Sequence, residues 1–356
     1  MRTKKSGEQE NGQVRSIQLT GRGSYILSIP KHWVREVGMK KGGRVEFIER
    51  QGEGLLLRPL ASTRPENASP RGVIAISPDV TSDAVTRRII SLYVIGQSTI
   101  EVNAKSGTLS ASIRDTIRDV ARRKLVGTEL VNESSKSATL QVLLSFPQLL
   151  VPDALRRMTS IMTSMQQDAV QALAHSDREL ANQVLKIDEE IDRFSLYIIR
   201  QLKWGVQHPA LLDRIGLRAP GECLGYRIVT KSIERSADHA ARVAKNSLVI
   251  RRTLDPRILK DINTLGQSAS KMMGTAMQAL FTSDYQLAER VLIDRERISA
   301  LENKLVEDIL NERLPGSEMS ALRLVSESLR RIGEYATDIS EVVLNLTVQD
   351  SIEAPI

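Results

Sequence analysis

With 356 residues the chain exceeds what one ordinary hydrophobic core organises, which predicts two or three domains. Its 41% hydrophobic and 26% charged residues are those of a globular protein, but 3% aromatic content argues against a large aromatic ligand pocket, and the lone Cys223 excludes an intrachain disulfide and a thiolate metal site of the usual kind. The net charge is +7, and the first 60 residues alone hold 12 Lys and Arg against 6 Asp and Glu, so a polyanionic partner is expected to meet that end.

Residues 1–14 read as a basic, polar tail without the apolar core of a signal peptide, and no stretch of the chain is apolar for long enough to cross a membrane. The expectation is a cytoplasmic protein with no membrane insertion. From Arg15 the sequence alternates, with Ile17 and Leu19 and then Tyr25, Leu27 and Ile29 on either side of Gly21 to Gly23, which predicts two short strands and a turn. Pro30 ends that ladder and opens a short helix carrying Trp33, Val34 and Val37, closed by Gly38. A second hairpin follows, with strands Arg44–Arg50 and Leu55–Arg58 about Gly52-Glu53-Gly54.

Through Ser24, Ile29-Pro30-Lys31, Trp33, Gly38, Gly42-Gly43 and Val45, residues 15–60 resemble the SpoVT/AbrB-type swapped-hairpin domain. The resemblance implies DNA binding by a homodimer that completes a core too small to stand alone. Gly43 departs from the pattern, which carries an acidic residue there, so a looser turn is expected. Arg15, Arg22, Lys31, Arg35 and Arg44 are the candidate DNA contacts, since a dimer presents each of them twice to the phosphate backbone.

Residues 61–70, rich in Pro, Ser and Asn, read as a linker. Strand and helix patterns then alternate over 71–147: strand Val73–Ser77, helix Ser82–Ile95, strand Thr99–Val102, helix Ser110–Leu125, and strands Thr128–Asn132 and Thr139–Leu144. This predicts a small α/β domain of ferredoxin-like type. It has no Gly-rich phosphate loop and no nucleophile constellation, and no chemistry is assigned to it.

From Pro152 the period becomes helical. Six helices are expected, near 153–175, 177–204, 221–251, 256–282, 284–312 and 318–347, forming an all-α bundle. The bundle is internally repeated. Gln171-Ala172-Leu173 and Ser176-Asp177 return as Gln278-Ala279-Leu280 and Ser283-Asp284, and the stretch from Ser232 aligns with that from Ser328. The two copies, 152–252 and 253–348, differ mainly in the loop Gln207 to Gly221. Tandem three-helix units with the stretch Glu234-Arg235-Ser236-Ala237-Asp238-His239 on a third helix resemble PhoU proteins, whose signature is an acidic pair at i, i+4 on neighbouring helices of each unit.

In the first unit Asp188 and Asp192 are one turn apart on the second helix, and Glu234 and Asp238 one turn apart on the third. If the two helices pack antiparallel, four carboxylates meet in an oxygen-only patch suited to iron, manganese, magnesium or zinc, and the resemblance implies a multinuclear cluster. The plain alternative is a solvated face on which Glu234 pairs with Lys231 and Asp238 with Arg242. His239 lies about 100° around the helix from Asp238 and reads as a flanking residue. In the second unit Arg330, Glu334, Arg295 and Ser299 replace Glu234, Asp238, Asp188 and Asp192, so a single metal centre is expected, with Arg330 and Arg331 neutralising Glu334 or holding an anion. The bundle lacks the E-x-x-H pairs of carboxylate-bridged enzymes, and no catalysis is expected. The resemblances together imply a DNA-binding regulator of phosphate uptake, or else an adaptor that inhibits the ATPase subunit of a phosphate transporter or a sensor kinase.

Overall fold

The computed structural model describes residues 15–21, 23–50, 54–59, 70–143 and 149–352, and it divides into two compact units, Met1–Ala68 and Ser69–Ile356. The tail 1–14, Arg22 and most of the expected linker lie outside the described residues.

In the first unit β1 (Gln18–Thr20) pairs antiparallel with β2 (Ser24–Ile26), α1 (Lys31–Glu36) follows Pro30, and β3 (Val45–Arg50) pairs antiparallel with β4 (Gly54–Pro59). Both expected hairpins are present. Their apolar residues are not covered: Leu19, Tyr25, Phe47 and Leu55 are each more than 60% exposed. The turn before β3 is closed rather than loose, correcting the expectation drawn from Gly43. The Gly43 N–H donates to the Lys40 carbonyl at 2.9 Å, and a Cβ at Gly43 would stand 2.7 Å from Met39 Cγ and 3.0 Å from the Lys40 oxygen. A side chain at that position would require the Met39 side chain to shift.

The second unit begins with an α/β layer. Its elements are β5 (Arg71–Ile76), α2 (Ser82–Val94), β6 (Thr99–Ala104), α3 (Ala111–Asp119) running into a π-helical turn Val120–Lys124, β7 (Thr128–Glu133) and β8 (Ser137–Val142). The sheet order is β5-β6-β8-β7, with β5 and β6 parallel and the other pairs antiparallel. The α/β class is as expected, but the ferredoxin-like type is not. That type runs βαββαβ, whereas this domain runs βαβαββ, because the Ser134 turn folds β8 directly back between β6 and β7. Strand alternation buries Ile74, Ile76, Ile100, Val102, Leu140 and Val142 against Val85, Ile89, Tyr93, Ile113 and Ile117 of the two helices.

The bundle follows as α4 (Val151–His175), α5 (Arg178–Gln207), a 3₁₀ helix (Pro209–Ile215), α6 (Glu222–Ser247), α7 (Pro256–Thr282), α8 (Tyr285–Asn311) and α9 (Gly316–Ile352). Helices α6 and α9 lie at its centre. The first packs against α4 and α5, the second against α7 and α8, and the two pack on each other, while α4 also meets α7. Gly225 marks the closeness of the central pair, since a Cβ there would come within 2.7 Å of Val342 Cγ1. The repeat is visible in the backbone. Ser176 ends α4 and Ser283 ends α7, both at φ +53° in the left-handed region, and Asp177 and Asp284 then cap α5 and α8 by accepting from Leu180 and Leu287 N–H groups.

The α/β layer is seated on α5. Arg200, only 3% exposed, donates to the carbonyls of Tyr93, Gly96 and Gln97 at the end of α2 and lies over the Tyr93 ring. Leu196 packs into the layer's own core one turn earlier.

Candidate functional site

Helices α5 and α6 are neighbours, and they bring the four expected carboxylates of the first repeat into one electrostatic neighbourhood. Asp188 is half-buried. Burial and the charges of Asp238, Asp192 and Glu234 push its carboxyl up to about 7. Asp192 is raised by burial and then by Glu234 and Asp238, and Asp238 by burial and Glu234. The plain alternative is realised in part: Lys231 Nζ pairs with Glu234 Oε1, although no Asp238–Arg242 ion pair forms. Glu234 Oε2 is buried without a hydrogen-bond partner.

Among the described residues no three His, Cys, Asp or Glu side chains stand close enough together to hold a metal ion in the conformations observed. The four carboxylates are therefore within Coulombic reach of one another but not at chelating distance. As a donor set they suit a hard cation: all are oxygen ligands, they repel one another, and Glu234 has a buried acceptor oxygen with nothing to accept. His239 is buried against the Tyr335 ring, with centroids 5.8 Å apart, and burial followed by Arg242 and Arg331 pushes its imidazole down to about 4.

The second repeat is arranged differently. Arg330 Nε meets Glu302 Oε2 at 2.9 Å while its Nη1 pairs with Glu334, and Arg331 Nη1 reaches Glu334 Oε2 at 2.6 Å. Two guanidinium groups thus neutralise these carboxylates, the first of the two roles expected for them. Glu302 was not evident from the repeat, because its counterpart is Ser195. Lys124 was not evident either: it lies on the π-helical turn of the α/β layer, and its charge works against the raised carboxyl of Asp192. The signal for Arg200 was present as an arginine inside the apolar run Tyr197 to Leu202.

On the first unit Arg15, Lys31, Arg35 and Arg44 are all exposed. Arg22 lies outside the described residues.

Comparison with known proteins places the repeat unit. The PhoU domain family model matches residues 155–247 and again 262–343, the two halves of the bundle. The bundle is a tandem pair of PhoU domains. Residues 18–65 match the model described as "Antidote-toxin recognition MazE, bacterial antitoxin", an AbrB-like domain over the expected swapped-hairpin region. Among relatives named phosphate-specific transport system accessory protein PhoU homolog, that of Zymomonas mobilis is 26% identical over 183 residues, covering 49% of this chain and 73% of its own. That of Pseudomonas aeruginosa is 29% identical, covering 50% and 74%. The crystal structure of PhoU from Pseudomonas aeruginosa aligns with a TM-score of 0.49 at 23% identity, over 56% of this chain and 96% of that one. The PhoU bundle contains no helix long and apolar enough to cross a membrane, nor does any other described part of the chain.

Proposed function

We propose that this chain regulates phosphate homeostasis as a DNA-binding homodimer, with one metal centre in its first PhoU repeat. The observation that carries the reading is the union in one chain of two PhoU domains with an AbrB-like MazE domain. Relatives that share the bundle are named for phosphate-specific transport, which supports the phosphate assignment. The exposed basic residues and uncovered apolar side chains of the first unit support a module that pairs with a second copy and then meets DNA phosphates.

Iron, manganese, magnesium or zinc would be held by Asp188, Asp192, Glu234 and Asp238. The bound cation supplies the positive charge that lets four neighbouring carboxylates ionise together. Lys231 occupies Glu234 Oε1 and leaves the buried Oε2 as a donor, and Asp188, its carboxyl pushed up to about 7, would give up its proton to serve as a ligand. Helix α5 carries both Asp188 and the Arg200 seat of the α/β layer, so the residues that would hold the metal and the seat of that layer share one helix. No catalytic role is assigned. Metal content measured on the purified protein is expected to fall on Glu234→Gln with Asp188→Asn, and unchanged content would remove the metal from the reading.

A second reading is favoured by the name the relatives carry, that of a transport accessory protein: an adaptor that inhibits a phosphate transporter's ATPase subunit or a sensor kinase without binding DNA. Binding to phosphate-transport promoters and to unrelated DNA across a salt series separates the two. Specific, salt-steep binding that disappears on Arg15, Arg22 and Arg44 substitution supports the regulator. Weak, sequence-blind binding with retention of a transporter ATPase in a pull-down supports the adaptor.

A further inference from the structure

The loop between α5 and α6, residues 208–221, is the main difference between the repeats, since its counterpart between α8 and α9 is only 312–315. It winds through the 3₁₀ helix Pro209–Ile215 and turns at Gly216. There a Cβ would come within 3.0 Å of Pro152 Cδ, and the left-handed φ of +81° already favours glycine. The loop thereby packs at one end of the bundle beside the starts of α4 and α6, the end of α7 and the later part of α9, and borders a partly open cavity of about 250 Å³.

The polar groups of this cavity are two exposed arginines, Arg156 and Arg218, and the half-buried Glu222 and Tyr226. Arg156 is fixed from two sides, by a 2.8 Å hydrogen bond to Asp153 and by the Phe281 ring 4.2 Å beneath its guanidinium. Arg218, delivered by the loop, makes no side-chain hydrogen bond or ion pair with any described residue, whereas its backbone N–H donates to Glu222 Oε2 at 2.9 Å. Tyr226, half-buried, lines the same cavity, and its hydroxyl has no hydrogen-bond partner among the described residues. Burial and the charge of Glu222 raise that phenol, while the charges of Arg218 and Arg156 lower it. Two cations and a hydroxyl donor therefore face one small cavity together with one carboxylate acceptor.

We propose that this cavity binds a protonated oxyanion of the phosphate type, free or as the head of a small monoester. Arg156, Arg218 and Tyr226 donate to its anionic oxygens, and Glu222 accepts the remaining P–O–H proton. The carboxylate is the selective element. Hydrogen phosphate offers a P–O–H proton at neutral pH, as does a monoester in its monoanionic form below its second pKa of about 6, and sulfate does not, so sulfate would set an oxygen against Glu222 with nothing between them. The assignment goes beyond the regulator reading and does not depend on DNA or metal, since it uses none of the groups invoked for either. It adds direct sensing of the anion at the point where the first repeat's loop meets the second repeat.

Calorimetric titration of the full chain, in chelator and without DNA, with inorganic phosphate, glycerol phosphate and sulfate tests this. The expected result is saturable binding of phosphate or the monoester, with the tighter of the two identifying the source, and at least tenfold weaker binding of sulfate. Arg218→Met, an exposed side chain outside the fold's core, and Tyr226→Phe should each weaken binding about tenfold, and Glu222→Gln should narrow the phosphate-over-sulfate preference. No heat with either phosphate compound, binding indifferent to both Arg218→Met and Tyr226→Phe, or equal affinity for sulfate would overturn the proposal.

Discussion

At the scale of single residues, the clearest consequence concerns Asp188. Its carboxyl, pushed up to about 7 by burial and by three neighbouring carboxylates, binds a proton in the metal-free fold that it loses in the unfolded chain near 3.8. Protons bound in excess by the folded state make stability fall as pH rises, so the metal-free protein should weaken between about pH 4 and pH 7. Asp188→Asn removes that decline. In chelator, urea unfolding of the variant should show a gain of about 1 kcal/mol at pH 8, allowing for screening by solvent, and no gain at pH 4; a gain of equal size at both would assign the effect to packing. Conversely, metal affinity of the native protein should rise across the same window as the proton becomes easier to displace. The residues of this patch were legible in the sequence because i, i+4 spacing puts each pair on one helix face. Their separation was not, since it depends on how α5 lies against α6 and on rotamers that Lys231 helps to set.

At the scale of elements, α5 joins two layers, and Arg200 is the side chain that does it. Replacing it by Met leaves the Tyr93, Gly96 and Gln97 carbonyls without their donor, at a cost of about 2 to 3 kcal/mol. Hydrogen exchange should then quicken at the end of α2 while α6 and α9 keep their protection. Equal loss of protection throughout would show that the layer and bundle unfold as one. Core packing gives a second expectation. Met162 is fully buried in α4, and Met162→Ala should cost about 2 to 5 kcal/mol, read as a lowered midpoint in thermal melting. The helices themselves followed from periodicity and caps: Asp255 accepts from the Arg257 N–H and Pro256 opens α7, as the pair Asp255-Pro256 implied. The order of strands in the α/β layer did not follow, because alternation marks which residues are buried and is silent on which strand lies beside which.

At the scale of the whole molecule, Leu19, Tyr25, Phe47 and Leu55 of the first unit stand uncovered among the described residues. Sedimentation at micromolar concentration is expected to give a dimer, and Leu19→Asp with Phe47→Asp a monomer whose PhoU bundle still melts cooperatively; a dimer insensitive to both would place the interface elsewhere. For DNA binding, Arg44→Ala should lower the slope of log affinity against log salt by about 1 for each phosphate that Arg44 neutralises.

What the sequence determined by itself was whatever local chemistry dictates: helix and strand period, the tandem repeat, the concentration of positive charge in the first 60 residues and the four carboxylates at helical spacing. Tertiary structure alone decided what depends on the packing of distant segments. It set the βαβαββ order, placed the α/β layer on Arg200, paired Glu302 with Arg330, and packed a loop beside Arg156, Glu222 and Tyr226. Periodicity records which face of an element is buried, whereas a cavity or an ion pair exists only once two elements far apart in the chain have been packed together.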